Sequence, residues 1–287
     1  MTVTIRTAVP ADAEPCGRII FEAFKGIAEE HRFPWDFPSV GVATQLATVF
    51  ITDPYVFAVV AERDGSVVGS NFLSEGDPIR GVGPITVDPT TQGGGVGRRL
   101  MEAVLERARD AVGVRLVQDA FNTRSVALYA SLGFDVREPL FLVQGKPLSQ
   151  PGSEFTVRPL AQEGLSACAG LCVTVHGTDR SKELADALRL FTPFAVERRG
   201  RITGYLSAAT LWVMNHGVAE TEADMMALIS GAATMSSDPV SFLLPVRQSS
   251  FFRWCLSEGM RVVKPMTLMT MGRYQEPNGC YFPSVLY

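Results

Sequence analysis

Histidine is scarce in this chain, and the other common metal ligands do not cluster. The 287 residues include three histidines, none paired at ligand spacing, and five cysteines that form an odd and scattered set. Such a set gives no disulfide framework. Cys168 and Cys172 lie one helical turn apart, but this pattern is more typical of small buried residues than of a zinc site. The sequence therefore predicts no metal centre.

Two further absences exclude membrane and nucleic-acid roles. No apolar run reaches the length of a membrane span, and residues 1–6 read as a strand and not as a signal peptide. The formal net charge is −4 with no basic block, which argues against nucleic acid as the main partner. We expect a cytoplasmic monomer or homodimer, with neither membrane nor nucleic acid among its partners.

Length and composition are those of two folded domains. At 287 residues the chain is long for one average domain, and 46% hydrophobic with 20% charged residues supplies a core to each half. The first half alternates strand and helix patterns, including a hairpin of residues 55–62 and 66–74. A linker rich in proline, glycine and serine follows at 145–153. We therefore place domains at 1–146 and 153–287.

The most informative segment is a glycine-rich turn between a strand and a helix. A β-branched strand, predicted at 83–87, stops at Asp88, and an apolar pattern of helical spacing covers 98–111. Bare backbone and the positive end of a helix attract a diphosphate, and two arginines add positive charge at the rim. The alternative is a turn without a ligand, although each glycine weakens a helix start by roughly 0.5–1 kcal/mol. The turn contains Gly93, Gly94, Gly95 and Gly97, followed by Arg98 and Arg99.

The spacing of these glycines shows which of the known phosphate-binding loops this segment matches. The dinucleotide fingerprint needs a third glycine where this chain has Arg98 or Leu100, and the nucleoside-triphosphate loop needs Lys-Ser or Lys-Thr after its last glycine. What the chain does contain is Gln-x-x-Gly-x-Gly, formed by Gln92, Gly95 and Gly97.

A second segment, residues 122–134, has a pattern of its own. Asn122 follows a strand predicted at 114–119, and Tyr129 lies in a short helix predicted at 125–131. Gly133, in Leu-Gly-Phe, suits the left-handed position that ends a helix. Taken in this order, the two segments resemble the GNAT superfamily of acetyl-CoA-dependent N-acyltransferases.

This resemblance implies a fold, a coenzyme and residue roles. The fold class is α/β (α+β), with two GNAT-type domains, each a mixed, mostly antiparallel sheet flanked by helices. Acetyl-CoA is the acyl donor, and no metal is needed. Asn122 borders the pantetheine arm and Tyr129 protonates the leaving thiolate, although Tyr129 has the alternative of being an aromatic core residue. The implied coenzyme-binding residues are Ile85, Thr86, Val87, Gln92, Gly93, Gly94, Gly95, Val96, Gly97, Arg98, Arg99 and Asn122.

The acceptor side is less defined. Residues 81–87 contain no acid that could take the proton of an amine, and the nearest are Glu75 and Asp77, so the general base stays unassigned. Residues 29–38 join the first two helices, a region that lines the acceptor cleft in the family, and interleave acids with aromatics in a way that suits a cationic amine. Alternatively, these aromatics pack on the sheet. The candidates for substrate binding are Glu30, Phe33, Trp35 and Glu75.

The second half repeats the first faintly. Residues 252–260 resemble the second motif, with Gly259 at the position of Gly133, and the same offset of 126 places Gln92–Gly97 on Val218–Ala223. Since that stretch has no glycine and contains two glutamates, we expect a degenerate GNAT-like domain without a cofactor loop. Two unrelated α/β domains are the alternative. The aromatic tail, residues 280–287, is expected to pack on one of the domains.

These interpretations predict an enzyme. The expected reaction is direct transfer of an acetyl group from acetyl-CoA to a primary amine of a small molecule or peptide, with the first domain catalytic. A protein that binds acyl-CoA as a sensor without catalysis is the alternative, because no base is evident.

Overall fold

The computed structural model describes residues 3–285, which separate into two compact units. One unit holds the residues up to 76 together with 80–114, and the other holds 77–79 together with the residues from 115 onward. Within the described range, no helix is both long and apolar enough to cross a membrane.

In the first unit, helices pack on an antiparallel sheet. Strand β2 pairs with β1 and β3, and β3 also pairs with β4 and β5. The predicted hairpin is confirmed, and its turn residues Asp64 and Gly65 both have positive φ. The elements are β1 (Thr4–Thr7), α1 (Ala13–His31), α2 (Val40–Thr52), β2 (Val56–Arg63), β3 (Ser66–Ser74), β4 (Ile79–Val82, of which 80–82 belong to this unit), β5 (Thr86–Val87) and α3 (Val96–Arg107).

The prediction of one strand at 83–87 is wrong. Strand β4 ends at Val82 and β5 covers Thr86 and Val87 alone, so Ile85 lies outside the ladder. Pro84 interrupts the run because it has no N–H to donate to a neighbouring strand. The helix predicted at 98–111 begins earlier, at Val96, and ends at Arg107.

Helix α3 is anchored to the sheet by one apolar face. Leu100, Met101 and Val104 are completely buried, and burial of each such side chain stabilises the fold by about 1.5–3 kcal/mol. A Cβ on Gly69 would lie 2.7 Å from the carbonyl oxygen of Thr86 and 3.0 Å from a methyl carbon of Leu100. The close approach of strand and helix fixes the start of α3 in place.

The second unit contains two sheets. One has the order β6-β13-β7-β12, and the other has the order β14-β11-β10-β9-β8. The elements are β6 (Gly113–Asp119, of which 115–119 belong to this unit), α4 (Thr123–Ser131), β7 (Asp135–Gly145), β8 (Phe155–Pro159), α5 (Leu165–His176), α6 (Ser181–Leu190), β9 (Phe194–Arg198), β10 (Arg201–Leu206), β11 (Gly217–Ala219), α7 (Glu222–Met235), β12 (Val240–Pro245), α8 (Ser249–Ser257), β13 (Arg261–Gly272) and β14 (Cys280–Phe282).

The last strands of the two halves of the chain are interleaved. Strand β7, from the first half, lies between β12 and β13 of the second half, and β13 lies between β6 and β7. The buried ion pair between Lys264 of β13 and Asp119 of β6, at 2.7 Å, joins the two halves within this sheet. Because of this exchange, the division between compact units does not follow the linker at 145–153.

The halves repeat each other in detail. Hairpin β9–β10 has a two-residue turn with positive φ at Arg199 and Gly200, and in both hairpins the second strand carries one extra residue, Val68 or Thr203, shortly after the turn. Helices α4 and α8 have nine residues each and end before a glycine of positive φ, Gly133 or Gly259. This agreement supports the interpretation of an internal repeat.

Candidate functional site

The glycine-rich loop is built by local hydrogen bonds at its start. Asp88 follows β5, and its carboxylate accepts from the backbone N–H of Thr90 at 2.9 Å and from the Thr90 hydroxyl at 2.6 Å. These bonds lower the pKa of Asp88. The side-chain amide of Gln92 donates to the carbonyl of Val87 at 3.4 Å, so Gln92 folds back on the strand end. The predicted Gln-x-x-Gly-x-Gly run therefore begins with a residue that shapes the loop.

Two glycines of the loop have a conformation that side chains disfavour. Gly93 has φ 88°, and Gly95, the N-cap of α3, has φ 75° and ψ 4°. Gln92–Gly95 are exposed to solvent. A helix start capped by glycine has no capping side chain, so its first N–H groups, from Val96 onward, face outward with the positive end of the helix dipole. This geometry suits an anion.

The arginines predicted at the rim have different surroundings. The Arg98 guanidinium lies 4.0 Å from Glu102 on an exposed helix face, and Arg99 donates to the backbone carbonyl of Val3. Sequence reasoning missed a third arginine, Arg63, at the end of β2. Its Nη2 lies 3.6 Å from the Cβ position of Gly94, and its Nε is shielded from solvent without a hydrogen bond to any described residue. A cation with an unused donor therefore lies next to the loop.

The second half shows what the equivalent arginine does there. Arg198 precedes the β9–β10 turn as Arg63 precedes the β2–β3 turn. Its guanidinium donates two bonds to Asp224, at 2.8 and 3.0 Å, and Asp224 lies in the first turn of α7. Burial raises the pKa of Asp224, but hydrogen bonds from Arg198, Thr221 and Thr203 outweigh it and lower the pKa overall. In this half a carboxylate of the chain supplies the anion at the helix start.

The connection before that helix is much shorter than the loop. Eight residues, 88–95, separate β5 from α3, whereas Glu220 and Thr221 alone separate β11 from α7. The predicted placement of Gln92–Gly97 on Val218–Ala223 is therefore wrong at its beginning, because Val218 and Ala219 belong to the strand. They correspond to Thr86 and Val87, since Ala219 pairs with Gly204 as Val87 pairs with Gly69.

Asn122 is the N-cap of α4 and Tyr129 lies within this helix, in the second unit. The Asn122 side chain caps the helix by accepting from the backbone N–H of Ser125 at 3.2 Å. Tyr129 is buried, with its ring edge on Phe134 at 6.3 Å between centroids. Burial raises the pKa of Tyr129 to about 12, the charge of Asp119 adds to this, and a hydrogen bond with Ser125 opposes it. The phenol therefore keeps its proton at neutral pH.

Comparison with known proteins identifies the family. The model of the acetyltransferase (GNAT) family matches residues 21–134. The N-alpha-acetyltransferase RimI of Mycobacterium tuberculosis is 35% identical over 136 residues, which cover 46% of this chain and 78% of that protein. The chain belongs to the GNAT family of acetyltransferases. Membership places it among the acetyl-CoA-dependent acyltransferases.

Other similarities differ in how much they cover. A mycothiol acetyltransferase of Nocardiopsis dassonvillei is 38% identical over 93 residues, but the match spans only 28% of that protein. Among solved structures, a Pyrococcus horikoshii protein described as an acetyltransferase gives a TM-score of 0.77 at 15% identity, covering 99% of this chain and 94% of that one. A tandem GNAT protein from the clavulanic acid biosynthesis pathway gives 0.60 at 14%, covering 96% and 100%. The predicted GNAT fold class is thus confirmed.

The residues predicted for the acceptor side of this GNAT protein lie in the first unit. Glu75 accepts from Arg107 at 3.0 and 3.1 Å, and the Arg80 guanidinium lies 2.9 Å from the same carboxylate. A carboxylate held by two guanidinium groups is poorly placed to take a proton directly. Trp35 is 47% exposed, packs its edge on Phe21, and has the Lys25 ammonium 4.8 Å from its ring centroid. Glu30 is exposed and Phe33 half-buried near the C-terminus of α1.

The acids and thiols of this GNAT protein form no metal site in the described part of the chain. No group of three His, Cys, Asp or Glu residues between 3 and 285 is arranged to hold an ion. The cysteines are free and buried. Burial raises the pKa of Cys168 to about 12 and that of Cys172 to about 11, so both stay protonated thiols. They behave as the small buried residues that the sequence indicated.

Proposed function

We propose that this chain transfers an acetyl group from acetyl-CoA to a primary amine of a small molecule or peptide, with the first half catalytic. The observation that carries the proposal is the loop of residues 88–97. There, left-handed glycines, an open helix start and the guanidinium Nη2 of Arg63 lie close together around one exposed turn. All three features favour a multiply charged anion.

The residues of the loop fit the diphosphate of acetyl-CoA. Gly93, Gly94, Gly95 and Gly97 offer backbone N–H groups without side chains of their own to block them. The guanidinium of Arg63 offers a planar pair of donors that suits phosphate oxygens. Ile85, Thr86 and Val87 are proposed to run beside the pantetheine arm. Of these, Thr86 is buried and its hydroxyl lies 3.3 Å from that of Ser70. When bound, acetyl-CoA supplies the activated acetyl thioester.

Tyr129 is the acid we propose for the leaving thiolate. Burial raises the pKa of Tyr129 to about 12, so the phenol is fully protonated at neutral pH and has a proton to donate when the thiolate leaves. Asn122 holds the start of the same helix, so its contribution includes fixing Tyr129. The general base remains unassigned, because Glu75 is held by Arg80 and Arg107.

The acceptor is proposed to be an amine, from the chemistry of the family and the names of the relatives. One relative is named an N-alpha-acetyltransferase and another a mycothiol acetyltransferase, so the names of the relatives do not point to one acceptor. In this chain Trp35 already lies over the ammonium of Lys25. That contact supports Trp35 as a surface on which a cationic acceptor binds, and an acceptor bound there would compete with Lys25.

Two measurements on the full chain test the function. Calorimetric titration with acetyl-CoA should give one site per chain, and thiol release over a panel of small-molecule and peptide amines should show turnover with at least one class. Tight binding without turnover on any amine would favour the sensor alternative, for which the engaged Glu75 is the supporting observation. No binding would refute both.

A further inference from the structure

The C-terminal strand β14 is held between two elements of the second half. It pairs antiparallel with β11, with Gly217, Val218 and Ala219 opposite Phe282, Tyr281 and Cys280. On its other side it contacts β12 and the side chain at the start of α8. The residues 279–284 that surround β14 are called the tail segment here. Cys280–Ser284 are all buried.

Gln248 recognises the backbone of the tail segment. Its amide nitrogen donates to the carbonyl of Tyr281 at 2.5 Å, and its amide oxygen accepts from the Tyr281 N–H at 3.3 Å and from the Cys280 thiol at 2.8 Å. The side chain thus pairs with the edge of Tyr281 that faces away from β11. The backbone of the tail segment thus makes hydrogen bonds along both edges, to β11 on one side and to Gln248 on the other, as a peptide does when it adds a strand to a sheet.

Pockets receive the two aromatic side chains. Phe282 stacks on Phe242 with centroids 4.9 Å apart, and a Cβ on Gly217 would lie 2.2 Å from its ring, so only glycine leaves room for it. The Tyr281 ring packs edge-on against His176 at 4.9 Å, and its hydroxyl donates to Glu138 at 3.3 Å. The two consecutive side chains therefore pack in different surroundings on opposite faces of the strand, which gives sequence specificity beyond the backbone pairing.

The elements that hold the tail segment are counterparts of those proposed to hold the coenzyme. Val218 and Ala219 correspond to Thr86 and Val87 by register, and Gln248 occupies the N-cap position of Asn122. Asn122 uses its side chain to cap its own helix, whereas Gln248, longer by one methylene, reaches the tail segment. This part of the comparison rests on the proposed function, but the contacts of the tail segment do not.

We infer that the slot between β11 and β12 is a binding site for an extended peptide strand, and that the tail segment is its resident ligand in place of a coenzyme. The short connection of Glu220 and Thr221 leaves no loop for a diphosphate, and Asp224 already neutralises Arg198. The second half therefore binds peptide backbone where a coenzyme-binding half binds pantetheine.

Exchange of the tail segment tests this assignment in the full chain. A site-specific protease sequence is inserted between Glu276 and Pro277, in the stretch before the tail segment, and the chain is cut without being unfolded. A fluorescent peptide with the sequence of residues 277–287 is added in excess. The fluorescence anisotropy of the peptide should rise on binding and saturate at one peptide per cut chain, while the uncut chain should bind no peptide. No exchange into the cut chain over days would overturn the proposal, because the tail segment would then be a fixed part of the core.

Two controls report on how the peptide is recognised. A peptide with an N-methyl group at Tyr281 cannot donate to Gln248, and Gln248→Ala removes the pairing from the other side, so each change should weaken binding about 10-fold or more. Equal uptake of the methylated peptide would refute backbone recognition.

A competition separates this inference from the proposed function. Millimolar acetyl-CoA added to the labelled complex should not release the peptide; release would show that the slot is a coenzyme site covered by the tail segment. If acetyl-CoA fails to bind the intact chain at all, the proposed function fails, yet peptide exchange is unaffected.

Discussion

Replacing Arg63 by glutamine tests the coenzyme site most directly. Hydrogen bonds to charged groups contribute about 1.5–3 kcal/mol each, and 1.4 kcal/mol corresponds to a factor of ten, so one lost guanidinium contact should weaken acetyl-CoA binding about 10- to 150-fold. Stability without coenzyme should not fall, because the Arg63 Nε makes no hydrogen bond within residues 3–285. Arg63→Lys keeps the positive charge but not the planar guanidinium, so its affinity for acetyl-CoA should lie between those of the wild type and Arg63→Gln.

The repeat supplies a matched control. Arg198→Gln removes the two bonds to Asp224, so it should lower the melting temperature and leave acetyl-CoA affinity unchanged. Calorimetric titration and thermal unfolding are measured for both variants. The affinity difference between wild type and Arg63→Gln should shrink at high salt, since ions screen the exposed part of the interaction. Wild-type affinity of Arg63→Gln at low salt, or the same response from both variants, would refute the reasoning.

Three further outcomes are expected. Gly97→Asp should abolish detectable acetyl-CoA binding by calorimetry while Gly97→Ala retains most of it, because the carboxylate and not the added Cβ repels the diphosphate; equal loss in both would point to sterics. Tyr129→Phe should lower kcat by roughly 10²- to 10⁴-fold with little change in KM for acetyl-CoA, and an unchanged kcat would leave Tyr129 a packing residue. Burial lowers the pKa of His176 to about 3 and that of His216 well below its usual value, so below pH 6.5 the unfolded chain binds protons that the folded chain does not. Denaturant unfolding should then show that the free energy of unfolding decreases as the pH is lowered below 6.5, by up to about 1.4 kcal/mol per pH unit for each histidine. If His176→Gln leaves this pH dependence unchanged, the reasoning is contradicted.

Local features of the fold could be predicted from the sequence because short-range sterics determine them. Asp64 and Gly65 give the hairpin turn, Gly133 ends α4, and the loop glycines include two with positive φ. Helix α3 and its buried face follow from apolar residues at helical spacing, although its first residue does not. The family assignment depends on these same local segments, which is why the amino-acid sequence is sufficient to indicate it.

Tertiary structure decided what depends on residues far apart in the chain. Arg63 could be recognised as a candidate site residue only from the structure, which places the β2–β3 turn beside the loop, since no spacing rule connects positions 63 and 94. The interleaving of β7 with β12 and β13 pairs backbone groups that are 95 to 135 residues apart in the chain, and side-chain patterns do not encode strand order. In the sequence, the tail segment is recognisable only as a run of aromatic residues. Its position is set by hydrogen bonds to the edge of β11 and to the side chain of Gln248. A segment bound through its backbone has no sequence pattern that identifies its partner.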